Sequence, residues 1–545
     1  MPRHMSWQIF LLLTVLSVGA VVRFHGLGTR GLVLYDGAYY ANAAKQPAYL
    51  LDWWREKRDA GQRHSESASQ FLKERGGAGY PVKPLHVLLL AAAFLIAGVR
   101  DGVVLGFSAA CSWLTLFMLW RLGRAMGDSK TGLAAAACLA VSGNSVAFAR
   151  TGYPQADTLL VLTGAMGLYL RSLRQTRTAS PSFLAAAGAF AFASLMHPTA
   201  FAAAAGCMLA EVCRREQPWR MRVIRAATLM AAATVPFLLG YAVSGFMRGR
   251  PILSRALRLS DPAKGLVDLQ LARSHGWWGV CGENAHFLAD MAGRLETAWF
   301  LVPAAAGLIL LGIRAWHARK SADILLLPQI LVPVVYGILV YSTLKAVQVA
   351  LPALALAAGL AVSEAMERLR RINAWLARGL FAVWLGGTLI SGALLVQPWV
   401  RYRTGYPKMV DRLLDYMARE GGTLCIRDQG NLHEHLAFYL GEAIRHLPPD
   451  FRGHIDFTGT GGDYLIADYQ AYLKVDTAQL LSSIESHAMV ASIPNTPYLL
   501  PVYHVHRAVP SLQHPDYRAL LDGPTPAPWS AITIVDLRKP RTATP

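Results

Sequence analysis

The chain has 545 residues, 54% of them hydrophobic, and a formal net charge of +19. Its mean hydropathy is +0.31, and apolar runs of a length suited to membrane spans recur from Trp7 to about Gln397. This composition excludes an ordinary soluble protein. The basic residues cluster in short loops between apolar runs, which is the positive-inside pattern of a membrane protein, so we expect no nucleic-acid partner.

Five basic loops determine the predicted topology, because short loops rich in Lys and Arg stay in the cytoplasm. They lie at Arg121–Lys130, Arg171–Arg177, Arg214–Arg225, Arg314–Lys320 and Arg368–Arg378. They predict a polytopic α-helical membrane protein with about 11–13 transmembrane helices. We expect it in the inner (plasma) membrane, with the N-terminus cytoplasmic and the C-terminal end extracytoplasmic.

The predicted elements follow in chain order. The first helix is the apolar run Trp7–Val22, and the later crossings are Val103–Trp120, Thr131–Phe148, a helix after Asp157, Phe183–Met196, Ala200–Val212, Ala226–Gly245, Ala298–Ile313, Ile324–Tyr341, Val347–Val362 and Gly379–Val396. Pro84–Val99 is short for a crossing, so we expect it to dip into the outer leaflet or to pack against the bundle.

Two long external loops are predicted, at residues 23–83 and 246–296. Within the first, Leu50–Arg75 is charged and contains Trp53 and Trp54, which favours juxtamembrane amphipathic helices; a solvated loop is the alternative. Residues 1–400 would form the transmembrane domain. Residues 401–545 would form an extracytoplasmic α/β domain, with a helix over Lys408–Arg419 and three short apolar strands. These strands are Thr423–Arg427, Tyr464–Ala467 and Ile532–Asp536.

Two carboxylates have settings that suggest chemistry. Asp36 lies in LVLYDGAYYANAAK, an aromatic and nearly uncharged stretch that also holds Tyr35, Tyr39 and Tyr40. Asp157 lies in ARTGYPQADTLL, where it opens a helix. Each has a structural alternative: a turn residue before a glycine for Asp36, and an acid favoured by the helix dipole for Asp157.

Four motifs, in this order and spacing, carry a resemblance. They are YDGAYYANAAK after the first apolar run, VKPLHVLLL, ARTGYPQAD, and STLKAVQVALPAL. Over about Arg23–Val362 the chain resembles the C-type glycosyltransferases that use polyprenyl-phosphate sugars, which include protein O-mannosyltransferases and the lipid A aminoarabinose transferase. These enzymes commonly have Asp-Glu in the first loop, whereas this chain has Asp36-Gly37.

The resemblance implies inverting transfer of a sugar from a polyprenyl-phosphate donor. Asp36 is then the candidate base for the acceptor hydroxyl. The leaving phosphate requires positive charge, for which the candidates are Lys345, Arg150, Lys83, His197, Arg23 and Arg30. Asp157 would orient Arg150 or another basic group, and the tyrosines beside Asp36 would contact substrate. Lys345 has a second reading as a headgroup anchor, and His197 as a helix corner.

The expected partners are the lipid bilayer, the lipid-linked sugar donor and an envelope acceptor, which can be protein, lipid A or another glycan. No cofactor is indicated; the pair His433 and His435 lacks the spacing of a helical zinc site, and a divalent metal stays an unsupported alternative. A transporter and a non-catalytic membrane scaffold are the rival functions. The transporter is disfavoured because the apolar runs hold few charges and show no repeat.

Overall fold

The computed structural model describes residues 3–33, 35–59, 83–173, 175, 179–214, 217–247, 276–317, 321–339, 344, 348–443, 447–448, 451, 453–457, 461–468, 477–495 and 531–541. Over these residues the first part of the chain is a bundle of helices. In chain order they are α1 Arg3–Phe24, α2 Tyr35–Asp59, α3 Pro84–Ala97, α4 Asp101–Met126, α5 Ser129–Ala140, α6 Gly143–Ala149, α7 Gln155–Leu173, α8 Pro181–Met196, α9 Ala200–Cys213, α10 Trp219–Met247, α11 Trp277–Leu295, α12 Ala298–His317, α13 Ser321–Leu339, α14 Leu351–Ile372 and α15 Ala374–Arg401.

Among the described helices, six segments are long and apolar enough to cross a membrane, and α5 with α6 passes the same test as a bent pair. Four shorter apolar helices accompany them, at Pro84–Ala97, Pro181–Met196, Ala200–Cys213 and Leu325–Leu339. The buried centre of the bundle consists largely of Ala and Leu side chains. Small residues let helix backbones approach closely, which suits packing inside a membrane. The predicted polytopic α-helical fold is therefore confirmed.

One predicted crossing is not a single helix. The run Thr131–Phe148 divides into α5 and α6, which meet at an angle of 63°. Ser142 caps α6, since its hydroxyl accepts the N–H of Ser145 at 3.1 Å. Gly143 lies against the end of α11, and a Cβ there would stand 2.3 Å from the carbonyl oxygen of Leu295. A hydropathy profile does not reveal this bend, because α5 and α6 together read as one apolar segment.

Helix α3 is shorter than a usual membrane span, whereas α2 is long and contains a proline. Helix α3 has 14 residues, and it buries Leu90 and Phe94 while leaving Leu88 and Ile96 exposed. Helix α2 has 25 residues and contains Pro47. The predicted amphipathic helix over Leu50–Arg75 is helical as far as Asp59, and its remainder lies outside the described residues. Of the second long loop, 248–275 also lies outside them.

A small α/β unit follows α15. Its described helices are α16 Tyr406–Glu420, α17 His433–Ala443 and α18 Thr477–Ser486; its strands are β1 Leu424–Cys425, β2 Ile455–Asp456, β3 Tyr464–Ala467, β4 His487–Pro494 and β5 Ala531–Pro540. Strands β1 and β2 pair in parallel, and β3–β5–β4 form an antiparallel sheet. Apolar residues of α16 and α17 pack on this sheet. The run Thr423–Arg427 is a strand only at β1, because a 3-10 helix begins at Ile426.

Candidate active site

The two sequence segments that carry the candidate acids lie in contact. Gly37, in the first turn of α2, packs against the loop between α6 and α7, where a Cβ on it would stand 2.5 Å from the carbonyl oxygen of Thr151. That loop turns at Gly152, whose φ of 75° is left-handed and favours glycine. Asp36 directly precedes Gly37 and Asp157 follows the turn. The backbones of both segments are thus neighbours, although the side chains of Tyr35 and Asp36 lie outside the described residues.

Asp157 opens α7 and is almost fully buried. One carboxylate oxygen, Oδ1, accepts the N–H of Thr158 at 3.0 Å. The other, Oδ2, lies 2.8 Å from Nδ1 of His86, which is on α3 and fully buried. The imidazole therefore donates its Nδ1 proton to the carboxylate. The basic partner of Asp157 is His86, whereas Arg150 bonds elsewhere.

The sequence-based predictions do not include His86, although the sequence carries a signal for it. His86 stands three residues after Lys83 in the motif VKPLHVLLL, so both lie on the same side of the start of α3. A histidine in an otherwise apolar run is costly to bury without a partner. Its partner, 71 residues later in the chain, could not be identified from spacing.

Aromatic contacts connect the His86–Asp157 pair to Lys83. The rings of His86 and Tyr40 meet edge to face, with centroids 5.3 Å apart. The Lys83 ammonium lies over the Tyr40 ring at 4.9 Å from its centroid, which is a cation–π contact. Tyr39 packs against Tyr40 at 5.5 Å. Tyr40 is four residues after Asp36, one helical turn further along α2.

Lys83 and His197 line one hollow between the start of α3, the corner joining α8 to α9, and α10. The N–H of Thr199 donates to Nδ1 of His197 at 3.3 Å. The other ring nitrogen, Nε2, is 3.4 Å from Nε2 of Gln155, two residues before Asp157. Two of the predicted phosphate-binding groups therefore line the same hollow.

Arg23 has a different environment from the one we expected. Its guanidinium donates to the carbonyl oxygens of Leu139 and Ala140 at 3.0 and 2.6 Å, and to the hydroxyls of Ser112 and Ser145 at 2.9 and 3.0 Å. The two carbonyls are those left open where α5 ends. Arg23 thus stabilises the break between α5 and α6.

Arg150 and Arg30 also bond to backbone carbonyls. Arg150 donates to four of them near the ends of α1 and α15, at 2.8 to 3.2 Å: Val22, Arg23, His25 and Val400. Arg30 donates to the carbonyl oxygen of Trp399 and lies 5.5 Å from the Tyr402 ring centroid. All three arginines are fully buried. These contacts give no support to a donor-phosphate role for Arg23, Arg30 or Arg150.

Two further predictions concern Lys345 and a metal site. Lys345 lies outside the described residues. In the part of the chain that is described, no three His, Cys, Asp or Glu side chains gather as a metal-ligand set. His433 instead approaches the neighbouring Glu434 carboxylate at 3.2 Å.

Comparisons with known proteins agree with this architecture. Residues 81–239 match the family described as dolichyl-phosphate-mannose-protein mannosyltransferase, a segment that contains Lys83, His86, Asp157 and His197. No curated protein matches the chain in sequence. The fold resembles that of ArnT from Cupriavidus metallidurans in the apo state, with a TM-score of 0.53 and 14% identity over 90% of this chain and 97% of that one. The family match is confined to residues 81–239, and the likeness to the solved structure shows that the two proteins share a fold.

Two further solved structures with a similar fold were determined with lipid phosphates. ArnT from the same organism bound to undecaprenyl phosphate has a TM-score of 0.52 and 13% identity, with 89% of this chain and 96% of that one covered. The oligosaccharyltransferase AglB from Archaeoglobus fulgidus, in complex with an inhibitory peptide and a dolichol-phosphate, has a TM-score of 0.54 and 12% identity, with 90% and 73% covered. At these identities the likeness establishes the fold.

Proposed function

We propose that this protein is a membrane glycosyltransferase that moves a sugar from a polyprenyl-phosphate donor to an envelope acceptor at the extracytoplasmic face, with inversion at the anomeric carbon. The observation that carries the proposal is the position of Lys83. Its ammonium lies over the ring of Tyr40, one helical turn after Asp36 on α2, and Lys83 lines the same hollow as His197. The Lys83 ammonium and the His197 imidazole belong to the side-chain types that bind phosphate anions in proteins. The lipid phosphates named for the structural neighbours support the same donor class.

The chemistry needs one base and one site for a leaving anion. An acceptor hydroxyl oxygen attacks the anomeric carbon, and its proton passes to the Asp36 carboxylate. The bond between that carbon and the phosphate oxygen breaks, and the electron pair leaves with the phosphate. Lys83 and His197 stabilise the growing negative charge, so no acid is required. Gly37 leaves Asp36 as the only acid of its turn, which fits one base acting alone.

The remaining groups of the site hold the Lys83 ammonium in position. The Asp157 carboxylate fixes His86, the His86 ring packs on Tyr40, and Tyr40 supports the Lys83 ammonium. The basic loops favour a cytoplasmic N-terminus, which would place the bundle of residues 1–400 in the membrane and residues 401–545 outside the cytoplasm. In that orientation, the corner between α8 and α9 that holds His197 would lie on the face where lipid-linked sugars are presented.

Incubation of the purified protein with a panel of polyprenyl-phosphate sugars tests the proposal. Mass spectrometry should detect release or transfer of one sugar, and Asp36→Asn should abolish turnover while donor binding is retained. Asp52→Asn on the same helix is the matched control and should keep the wild-type rate, because Asp52 lies about four helical turns further along α2 than Asp36. An active Asp36→Asn variant would remove the base role.

A further inference from the structure

Helix α17 of the C-terminal α/β unit lies against α2, at the segment that contains Asp36. Before Asp36, the N–H of Leu32 donates to the Tyr439 hydroxyl at 2.7 Å. The same hydroxyl donates to Oδ2 of Asp101, at the start of α4, at 3.2 Å. One tyrosine therefore connects the segment that leads into α2 with a neighbouring helix of the bundle.

After Asp36, a second contact from the same helix fixes α2. The side-chain amide of Asn42 donates to Oε2 of Glu434 at 2.6 Å and to the Glu434 carbonyl oxygen at 2.8 Å. Asn42 and Glu434 are both buried. A charge-assisted bond of this length is among the stronger hydrogen bonds in proteins.

The contact continues along one face of α2. The Lys45 ammonium donates to the carbonyl oxygen of Ala437 at 2.6 Å, and the Tyr49 hydroxyl donates to Glu442. Asn42, Lys45 and Tyr49 are spaced by three and four residues, which is one side of a helix. This side faces α17, whereas Gly37 packs on the loop at Thr151.

We propose that α17 is a clamp that positions the catalytic carboxylate of Asp36, with Tyr439 and Glu434 as positioning residues. The proposal rests on the function given above. The segment Leu32–Asn42 is bonded to α17 at both ends, with Asp36 between them. A base must lie within hydrogen-bond reach of the proton it abstracts, and displacement by about 1 Å can cost up to about a hundredfold in rate.

The chemical state of Tyr439 supports its part in the clamp. Burial, together with the nearby Asp101 carboxylate, raises the pKa of Tyr439 well above its ordinary value. The hydroxyl keeps its proton at every pH at which the enzyme would be assayed. The Tyr439 hydroxyl can therefore accept a hydrogen bond from the Leu32 N–H and donate one to the Asp101 carboxylate at the same time.

Tyr439→Phe, compared with Tyr406→Phe, is the first test. Tyr406 is a matched control because its hydroxyl also donates to a carboxylate, Asp468, at 2.7 Å, within the core of the same α/β unit. We expect Tyr439→Phe to lower kcat about tenfold and to change the donor KM by less than about twofold. Tyr406→Phe should lower the thermal stability by a comparable amount and leave kcat unchanged.

An exchange of donor and acceptor is the second test. Asn42→Asp places two carboxylates together in a buried site, and we expect a loss of kcat at least as large as that of Tyr439→Phe. Adding Glu434→Gln restores one amide–carboxylate bond with the roles reversed. The double variant should recover most of the lost kcat, since only the bond to the Glu434 carbonyl is then missing. Failure to recover would overturn the role of this pair.

Amide hydrogen exchange separates this inference from the proposed function. Peptides covering residues 32–42 should exchange faster in Tyr439→Phe than in Tyr406→Phe, whatever reaction the enzyme performs. An active Asp36→Asn variant together with this faster exchange would end the base role and leave the clamp in place. Equal exchange and equal kcat in the two tyrosine variants would overturn the clamp while the base role stood.

Discussion

Gly37 lies so close to the Thr151 carbonyl oxygen that no side chain fits between them. A Cβ built on Gly37 would stand 2.5 Å from that oxygen, which is backbone and cannot rotate away. The enzymes that this chain resembles commonly have glutamate at this place. Here α2 packs so tightly on the loop at Thr151 that position 37 has no room for the second acid. The same packing brings the Asp36 segment against the segment of Asp157.

Gly37→Ala should therefore destabilise the protein and lower its activity. An inserted methyl group in a packed site costs about 1–3 kcal/mol, and relief of the clash would shift the first turn of α2. Gly188→Ala on α8 is the control, because no atom lies within 4 Å of a Cβ there. Thermal unfolding and kcat measured for both variants test the contact. Equal behaviour of the two would show that the α2 turn is not held against Thr151.

Arg150→Lys should separate a structural arginine from a phosphate-binding one. Lysine cannot make the four carbonyl bonds of the Arg150 guanidinium, so we expect a loss of about 3 kcal/mol in the free energy of unfolding. The fraction that remains folded should bind the donor with unchanged KM. Donor binding that weakens while stability is retained would restore the phosphate role.

The sequence predicted the apolar helices well because a span must be continuously hydrophobic. It also identified Asp36 and Asp157 as candidate acids, and the backbone segments that carry them lie in contact at Gly37 and Thr151. Arg23 and Arg150, however, were predicted from the sequence to bind the donor phosphate. Their partners are backbone carbonyls, and a carbonyl left open by a break such as that between α5 and α6 has no sequence signature.

Long-range side-chain pairs were equally invisible in the sequence. His86 and Asp157 lie on separate helices, and neither residue type specifies the other. The docking of α17 on α2 joins residues such as Asn42 and Glu434, which are 392 positions apart. Such contacts depend on how complete helices pack, so periodicity and spacing give no information about them.

Lys83→Met should weaken donor binding by more than its effect on the stability of the protein can account for. Loss of one charged hydrogen-bond donor to a phosphate costs about 1.5–3 kcal/mol, which corresponds to at least about a tenfold rise in the donor KM. Lys130→Met is the control, since Lys130 lies at the start of α5 and approaches Glu367 only at 4.0 Å. A donor KM that rises equally in both variants would contradict a phosphate contact for Lys83.

The free energy of unfolding should increase as the pH rises above neutral, because Lys45 is buried at the contact between α2 and α17. Burial lowers the pKa of Lys45 from 10.5 to about 7, against the smaller opposing effects of Glu442 and Glu434. Between these two values the unfolded chain binds a proton that the folded chain does not, so the free energy of unfolding rises with pH, by at most about 1.4 kcal/mol per pH unit. Below about pH 7 this contribution is constant.

Thermal unfolding of the wild type and Lys45→Met between pH 7 and 9 isolates the lysine. Other groups contribute equally to both proteins, so the difference between the two curves reports Lys45 alone. We expect the wild type to gain stability relative to the variant as the pH rises. A constant difference would mean that Lys45 stays charged in its contact with Ala437.

The His86–Asp157 pair offers a test that distinguishes support of the site from simple structural pairing. His86→Phe leaves the Asp157 carboxylate buried with only the Thr158 N–H among its described partners, which should cost about 3–5 kcal/mol of stability. Adding Asp157→Asn removes the uncompensated charge, and the double variant should regain much of that stability. It should not regain kcat/KM for the donor, because the imidazole that orients Tyr40 and Lys83 is still missing. Recovery of kcat/KM together with the melting temperature would show that the pair only stabilises the fold.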